Sequence, residues 1–175
     1  MSLQQPDTSA DAAGAEAAPG RHVGIGEYAV TDAGCELITY GLGSCLGVAL
    51  FDSNAGVGGL AHVKRSGASG QQAGDDAVFT DTGIRALYSE MQSQGAARQH
   101  TVATLVGGID TGNSASLICT GIGERNIKQA DATLAALDIT VTERDVGGDT
   151  VRTVFFDGET GAVTIETGCG DRYVI

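Results

Sequence analysis

Apolar and polar residues alternate in short runs along most of this chain, and only two stretches carry the wider spacing of a helix. Residues 23–30 read as a strand thinned by Gly24 and Gly26, and residues 35–40 as a second. Residues 46–52 and 57–63 read as two more, joined by the turn Ser53-Asn54-Ala55-Gly56 into a hairpin. A polar, glycine-rich loop follows at 66–74. Residues 75–94 place Ile84, Leu87, Tyr88 and Met91 on one helical stripe, with Gly95 to end it. Residues 101–106 form a buried strand. Residues 122–137 repeat the helical spacing through Ile122, Ile127, Ala130, Leu134 and Leu137, with Thr120 as N-cap. Strands at 139–143, 151–156 and 162–167 complete a strand-rich end. Asp145-Val146-Gly147-Gly148 with Arg152 reads as a hairpin between two of them. Strands outnumber helices and some adjoin across short turns. The pattern predicts an α/β (α+β) layered domain with packed mixed sheets and flanking helices. No internal repeat is present.

Composition changes this picture at the N-terminus. Residues 1–20 hold almost no large apolar side chain and predict a disordered acidic tail, leaving 21–175 as one domain. Aromatics are 5% and Trp is absent, so small and branched residues must fill the core. The formal charge is −12 and the sequence pI about 4.4. That balance argues against nucleic acid and anionic lipid as partners. It fits a soluble acidic protein or, more sharply, a cytosolic protein of a salt-rich cell. No apolar run reaches 18 residues and no secretory signal is visible, so a cytoplasmic location with free thiols is expected. The cysteines at 35, 45, 119 and 169 form no C-x-x-C pair, and His22, His62 and His100 are scattered, so no metal site is expected.

The candidate chemistry centres on Gly41-Leu42-Gly43-Ser44-Cys45. Two glycines let the backbone turn its N–H groups toward one point, where Gly43 and Ser44 frame an oxyanion site and lower the thiol pKa of Cys45. The bland alternative is a small buried cysteine. His62 sits in an apolar strand, where an imidazole is either the base for a thiol or a core histidine bonded to a carbonyl. Thr39 offers a hydroxyl to orient that imidazole, a weak signal alone. Leu46 stands where a dinucleotide loop needs its third glycine, so that reading fails. Arg125 and Asn126 open a helix and either face a substrate or partner, or serve the structure. Cys35, Cys119 and Cys169 read as structural.

Taken in order, these residues resemble the CheD family of chemoreceptor glutamine deamidases. The likeness runs through Gly24-Ile25-Gly26-Glu27-Tyr28, Thr39 to Cys45, Gly58-Gly59-Leu60-Ala61-His62-Val63, Ile122-Gly123-Glu124-Arg125-Asn126 and Asp145 to Gly148 with Arg152. It implies a fold like the catalytic domain of cytotoxic necrotizing factor, Cys45 as nucleophile, His62 as base and Thr39 as third catalytic residue. It implies a protein-glutamine glutaminase that needs no cofactor and acts on methyl-accepting chemoreceptors. CheC phosphatase or an archaeal switch adaptor is implied as a further partner. The chain departs from the family pattern at Lys64-Arg65-Ser66 and Gly107-Gly108-Ile109-Asp110, in regions that members use for docking. The rival readings are a binding module with little catalysis and a thiol enzyme for another amide or ester.

Overall fold

The structure, a computed structural model, describes residues 20–32, 34–67, 77–110 and 121–175. The expected tail, most of the 66–74 loop, Cys119 and Thr120 lie outside the described residues. Among the described residues, ten strands and two α-helices follow in order. They are Arg21–His22 (β1), Tyr28–Thr31 (β2), Glu36–Leu42 (β3), Leu46–Asp52 (β4), Val57–Val63 (β5), Thr80–Ser93 (α1), Thr101–Gly107 (β6), Ile122–Ala136 (α2), Thr140–Val146 (β7), Arg152–Asp157 (β8), Val163–Thr167 (β9) and Arg172–Val174 (β10).

The predicted 46–63 hairpin lies at the centre of the fold. β4 and β5 pair antiparallel from Leu46 opposite Val63 to Asp52 opposite Val57. Asp52 shapes their turn, its Oδ1 accepting the N–H groups of Asn54 and Ala55 at 2.8 and 3.0 Å. Both strands are buried nearly throughout, because each of their faces meets another layer. One face turns Val48, Leu50, Ala61 and Val63 toward Ile84, Leu87, Met91, Ala130 and Leu134 of the helices. The opposite face turns Ala49 and Leu60 toward Leu37, Leu42, Val154, Phe156 and Ile165. Each fully buried Leu stabilises the fold by roughly 1.5–3 kcal/mol.

Two mixed five-stranded sheets result, ordered β2-β5-β4-β6-β7 and β1-β3-β8-β9-β10. The first is sandwiched between the second sheet and the two helices. The layered, mixed α/β architecture is therefore as expected, but four local readings differ. Residues 23–30 are not one strand: the chain leaves the second sheet after β1, turns at Gly26 with φ +78°, and enters the first sheet as β2. Residues 145–148 are not a hairpin. β7 lies parallel to β6 in the first sheet, while β8 pairs with β3 and β9 in the second. The glycines there serve a crossing between layers, which a local turn signal cannot distinguish from a hairpin. α1 begins at Thr80 rather than 75, because Val78 and Thr80 spend their backbone groups on Lys64 and Arg65. α2 begins after Gly121 in the left-handed region, with no side-chain cap. β10 carries a short polar pattern and was not anticipated.

Arg152 closes the second crossing. Its guanidinium donates to the Gly147 carbonyl at 2.6 Å, the Thr150 carbonyl at 2.9 Å and Asp145 Oδ1 at 2.8 Å, with the residue 8% exposed. Tyr173 of β10 donates to the other Asp145 oxygen. Arg152→Ala should lower unfolding stability by about 1.5–3 kcal/mol, the range for hydrogen bonds to a charged group. A denaturant midpoint equal to wild type would show that the crossing holds without the guanidinium.

Candidate active site

His62 lies near the end of β5 and points between the sheets. Its backbone is held on both sides: its N–H donates to the Glu27 carbonyl at 3.0 Å, its carbonyl accepts from Gly26 at 2.8 Å, and Gly47 of β4 is its cross-strand partner. Its side chain crosses to the second sheet, where Nδ1 lies 2.8 Å from Thr39 Oγ1. Thr39 is fully buried on β3. A threonine hydroxyl has one proton. Thr39 donates it to the Val23 carbonyl at 2.7 Å, so its oxygen must accept from His62. Neutral His62 is thereby assigned its proton on Nδ1, which leaves the Nε2 lone pair bare. Nε2 is buried and has no hydrogen-bond partner among the described residues.

Cys45 precedes β4 by one residue, two positions before Gly47, the partner of His62. Alternation therefore brings Cys45 toward the face on which His62 lies. Three consecutive carbonyls of the loop point into the protein. Gly43 accepts from Ile109 N–H at 2.8 Å, Cys45 from Gly108 N–H at 2.8 Å, and Ser44 from the Asn126 side-chain amide at 2.8 Å. Among the described residues, the N–H groups of Gly43 and Ser44 donate no hydrogen bond. The stretch Gly107–Ile109 thus supports this loop with its backbone. A Cβ on Gly107, where φ is +105°, would lie 2.6 Å from the Cys45 carbonyl oxygen, so only glycine admits the approach.

Asn126 is wholly buried and faces no solvent. Its Nδ2 also donates to the Lys64 carbonyl at 3.1 Å. One amide thus ties the loop before Cys45 to the segment after His62. The inward face of α2 is Gly123, Asn126, Ala130, Thr133 and Leu134, so Asn126 is hidden behind the apolar spacing. Arg125, beside it, is exposed and lines a cavity of about 450 Å³ together with Ser44 and Lys64.

The electrostatics depart from the sequence expectation. Burial raises the Cys45 pKa above that of an ordinary thiol, and Lys64 and the residue's own backbone N–H offset this only in part. Burial, aided by the charge of nearby His22, lowers the His62 pKa to about 4. The resting pair is a neutral thiol and a neutral imidazole, so the loop's N–H groups do not by themselves yield a thiolate. Cys45 is a free, half-buried cysteine, as is Cys35, while Cys169 is exposed and free. Among the described residues, no group of His, Cys, Asp or Glu is placed to hold a metal ion, and no helix is long and apolar enough to cross a membrane.

Two mixed sheets flanked by helices, with a free thiol on a pinned loop and a buried imidazole whose tautomer is set by threonine, make this a layered, mixed α/β domain. The comparisons name the family. The family model described as CheD chemotactic sensory transduction matches residues 63–167. A protein of Haloarcula marismortui named "Probable chemoreceptor glutamine deamidase CheD" is 37% identical over 157 residues, covering 87% of this chain and 88% of its own. The protein of the same name from Moorella thermoacetica is 40% identical, covering 83% and 89%. "Probable chemoreceptor glutamine deamidase CheD 1" of Methanosarcina acetivorans is 37% identical, covering 87% and 95%. The chain belongs to the CheD family. The family match begins just after His62, but matches of this coverage leave too few residues outside them to exclude Thr39–His62.

Two outcomes follow from the geometry. The unfolded chain binds a proton on His62 from about pH 6.5 downward, and the folded chain only near pH 4. Stability should therefore fall as pH drops through this window, by roughly 3 kcal/mol for the one group. His62→Gln should lack that share of the slope in denaturant titrations at pH 7, 5.5 and 4, and parallel slopes would count against a neutral buried imidazole. Asn126→Leu leaves two carbonyls without their donor and should cost roughly 1–3 kcal/mol. It should also speed alkylation of Cys45 by iodoacetamide, because the loop is no longer held.

Proposed function

We propose that this protein is a chemoreceptor glutamine deamidase that hydrolyses the side-chain amide of selected receptor glutamines to glutamate and ammonia through a Cys45 thioester. The observation that carries the reading is the bond from His62 Nδ1 to Thr39, which leaves Nε2 unpartnered on the face shared with Cys45. Membership of the CheD family and the names of its relatives support the same substrate class.

In this mechanism Nε2 takes the Cys45 proton as sulfur attacks the γ-carboxamide carbon. Both partners begin neutral, so the ion pair exists only along the reaction path. Lys64 favours the sulfur anion, and Thr39 holds the imidazolium in place. The N–H groups of the Gly43–Cys45 loop stabilise the oxyanion, and loss of one such donor costs about 3 kcal/mol in similar sites. The tetrahedral adduct collapses as Nε2 returns its proton to the departing nitrogen, releasing ammonia. Nε2 then takes a proton from water, which attacks the thioester. Collapse frees glutamate, and the proton returns to Cys45.

The same reading takes 21–175 as the deamidase domain after an acidic tail, with a layered fold like the cytotoxic necrotizing factor catalytic domain. It places the protein in the cytoplasm of a salt-rich, archaeal-type cell, consistent with its charge of −12. CheC phosphatase or an archaeal switch adaptor belongs to it as a further partner. Exposed Ile25, on the turn before β2, and exposed Tyr40, on β3 next to Thr39, supply apolar surface for such docking. Cys45→Ala should abolish ammonia release from receptor fragments at unchanged fold, while retaining any docking. Activity that survives this substitution would rule out the thiol route.

A further inference from the structure

The chain has ten Lys and Arg residues against 22 Asp and Glu. In so acidic a protein, the placement of the few cations carries information. Arg98, Lys128, Arg144, Arg152 and Arg172 each pair with a carboxylate. Arg21, Lys64, Arg65, Arg85 and Arg125 enter none of the ion pairs among the described residues, and three of these, Lys64, Arg65 and Arg125, stand together. All three are exposed, and all three line one cavity of about 450 Å³. Ser44 lines the same cavity, so it opens one residue from Cys45. Phe79 and Ile122 give it an apolar wall.

The backbones that carry these cations are fixed relative to the thiol. Asn126, next to Arg125, holds the carbonyls of Ser44 and Lys64 together. The Arg65 N–H donates to the Val78 carbonyl at 3.0 Å, and its carbonyl accepts from Thr80 N–H at 2.7 Å and Thr80 Oγ1 at 2.9 Å. The cations thus stand on pinned backbone around one opening. The charge of Lys64 reaches the Cys45 thiol, where it opposes the effect of burial.

We propose that Lys64, Arg65 and Arg125 form a cationic rim that selects glutamines carried on acidic segments, with a carboxylate about one helical turn from the target amide. The inference rests on the deamidase reading of the adjacent thiol. Its chemistry is charge complementarity at short range. A surface of charge −12 repels an acidic partner at a distance, and salt screens that repulsion within a few ångströms at high ionic strength. Contacts inside the cavity are screened far less. On a helix, side chains three or four positions apart lie about 5–6 Å from one another. A glutamine placed at Cys45 therefore brings its neighbour one turn away to the rim. The apolar wall receives the methylenes between them.

The test uses the full chain and three labelled helical peptides, each with a single glutamine. The residues four positions before and after it are Glu, Ser or Lys. Binding is read by fluorescence anisotropy on the Cys45→Ala protein, and ammonia release on the wild type. The Glu peptide should bind about tenfold tighter than the Ser peptide, and the Lys peptide weakest. Lys64→Glu/Arg65→Glu/Arg125→Glu should invert that order. Single Lys64→Gln and Arg65→Gln variants, exposed changes with native circular dichroism, should each weaken the Glu peptide stepwise. Equal binding of the three peptides, no binding of the Glu peptide, or an order unchanged in the variants would overturn the rim. Ammonia from all three peptides at equal rates would leave the deamidase standing and remove the rim. Ordered binding without ammonia from any peptide would keep the rim and remove the deamidase.

Discussion

Thr39 has one proton to give, and it gives it to Val23. The arrangement at His62 depends on that donation. Because the hydroxyl is spent on a carbonyl, its oxygen accepts the Nδ1 proton, and the imidazole presents a bare Nε2. Val23 and Thr39 belong to the side of the second sheet, and His62 to the first. The bond therefore fixes a tautomer and the relation of two layers at once. A carboxylate in the place of Thr39 would raise the basicity of the imidazole. A neutral hydroxyl orients it without doing so, in keeping with a His62 pKa lowered by burial.

A neutral resting pair has a physical counterpart in the way the site is built. The thiolate is the reactive form of cysteine toward oxidants and alkylating agents. Burial that raises the Cys45 pKa keeps that form scarce in the resting protein. In the mechanism proposed above, the energy of forming the ion pair is met inside the complex, beside the loop backbone and the charge of Lys64. Three carbonyls bonded inward, to Ile109, Gly108 and Asn126, fix the backbone of the loop before β4.

Much of the frame was legible because it is local. The central hairpin reads directly, since alternating burial and the turn at 53–56 lie within one stretch. Ile84, Leu87, Tyr88 and Met91 all face the core as their spacing indicates. What could not be read depends on distant partners. Residues 23–30 have strand chemistry throughout, yet the turn at Gly26 divides them between two sheets. Asp145–Gly148 has hairpin chemistry, yet β8 finds its neighbours in β3 and β9. Asn126 looks like any polar residue at the start of a helix, because its acceptors lie 82 and 62 residues back in the chain. The direction of the Cys45 shift was misjudged for the same reason: the glycine loop is visible in sequence, but the layers that desolvate it are not.

The order of strands in the second sheet also bears on how the chain is made. β3, which carries Thr39, is flanked there by the two-residue β1 and by β8, whose residues 152–157 follow both helices and seven other strands in chain order. Thr39 lies opposite Val154, and Arg152 pins the crossing that delivers β8. A nascent chain at the ribosome carries Thr39, Cys45 and His62 long before the strand that seats the threonine has emerged. Domains assemble as units once their distant pairings become available. The thiol and the imidazole therefore pass through early synthesis as unassembled parts, and the threonine that sets the tautomer of His62 is seated only once β8 has been made.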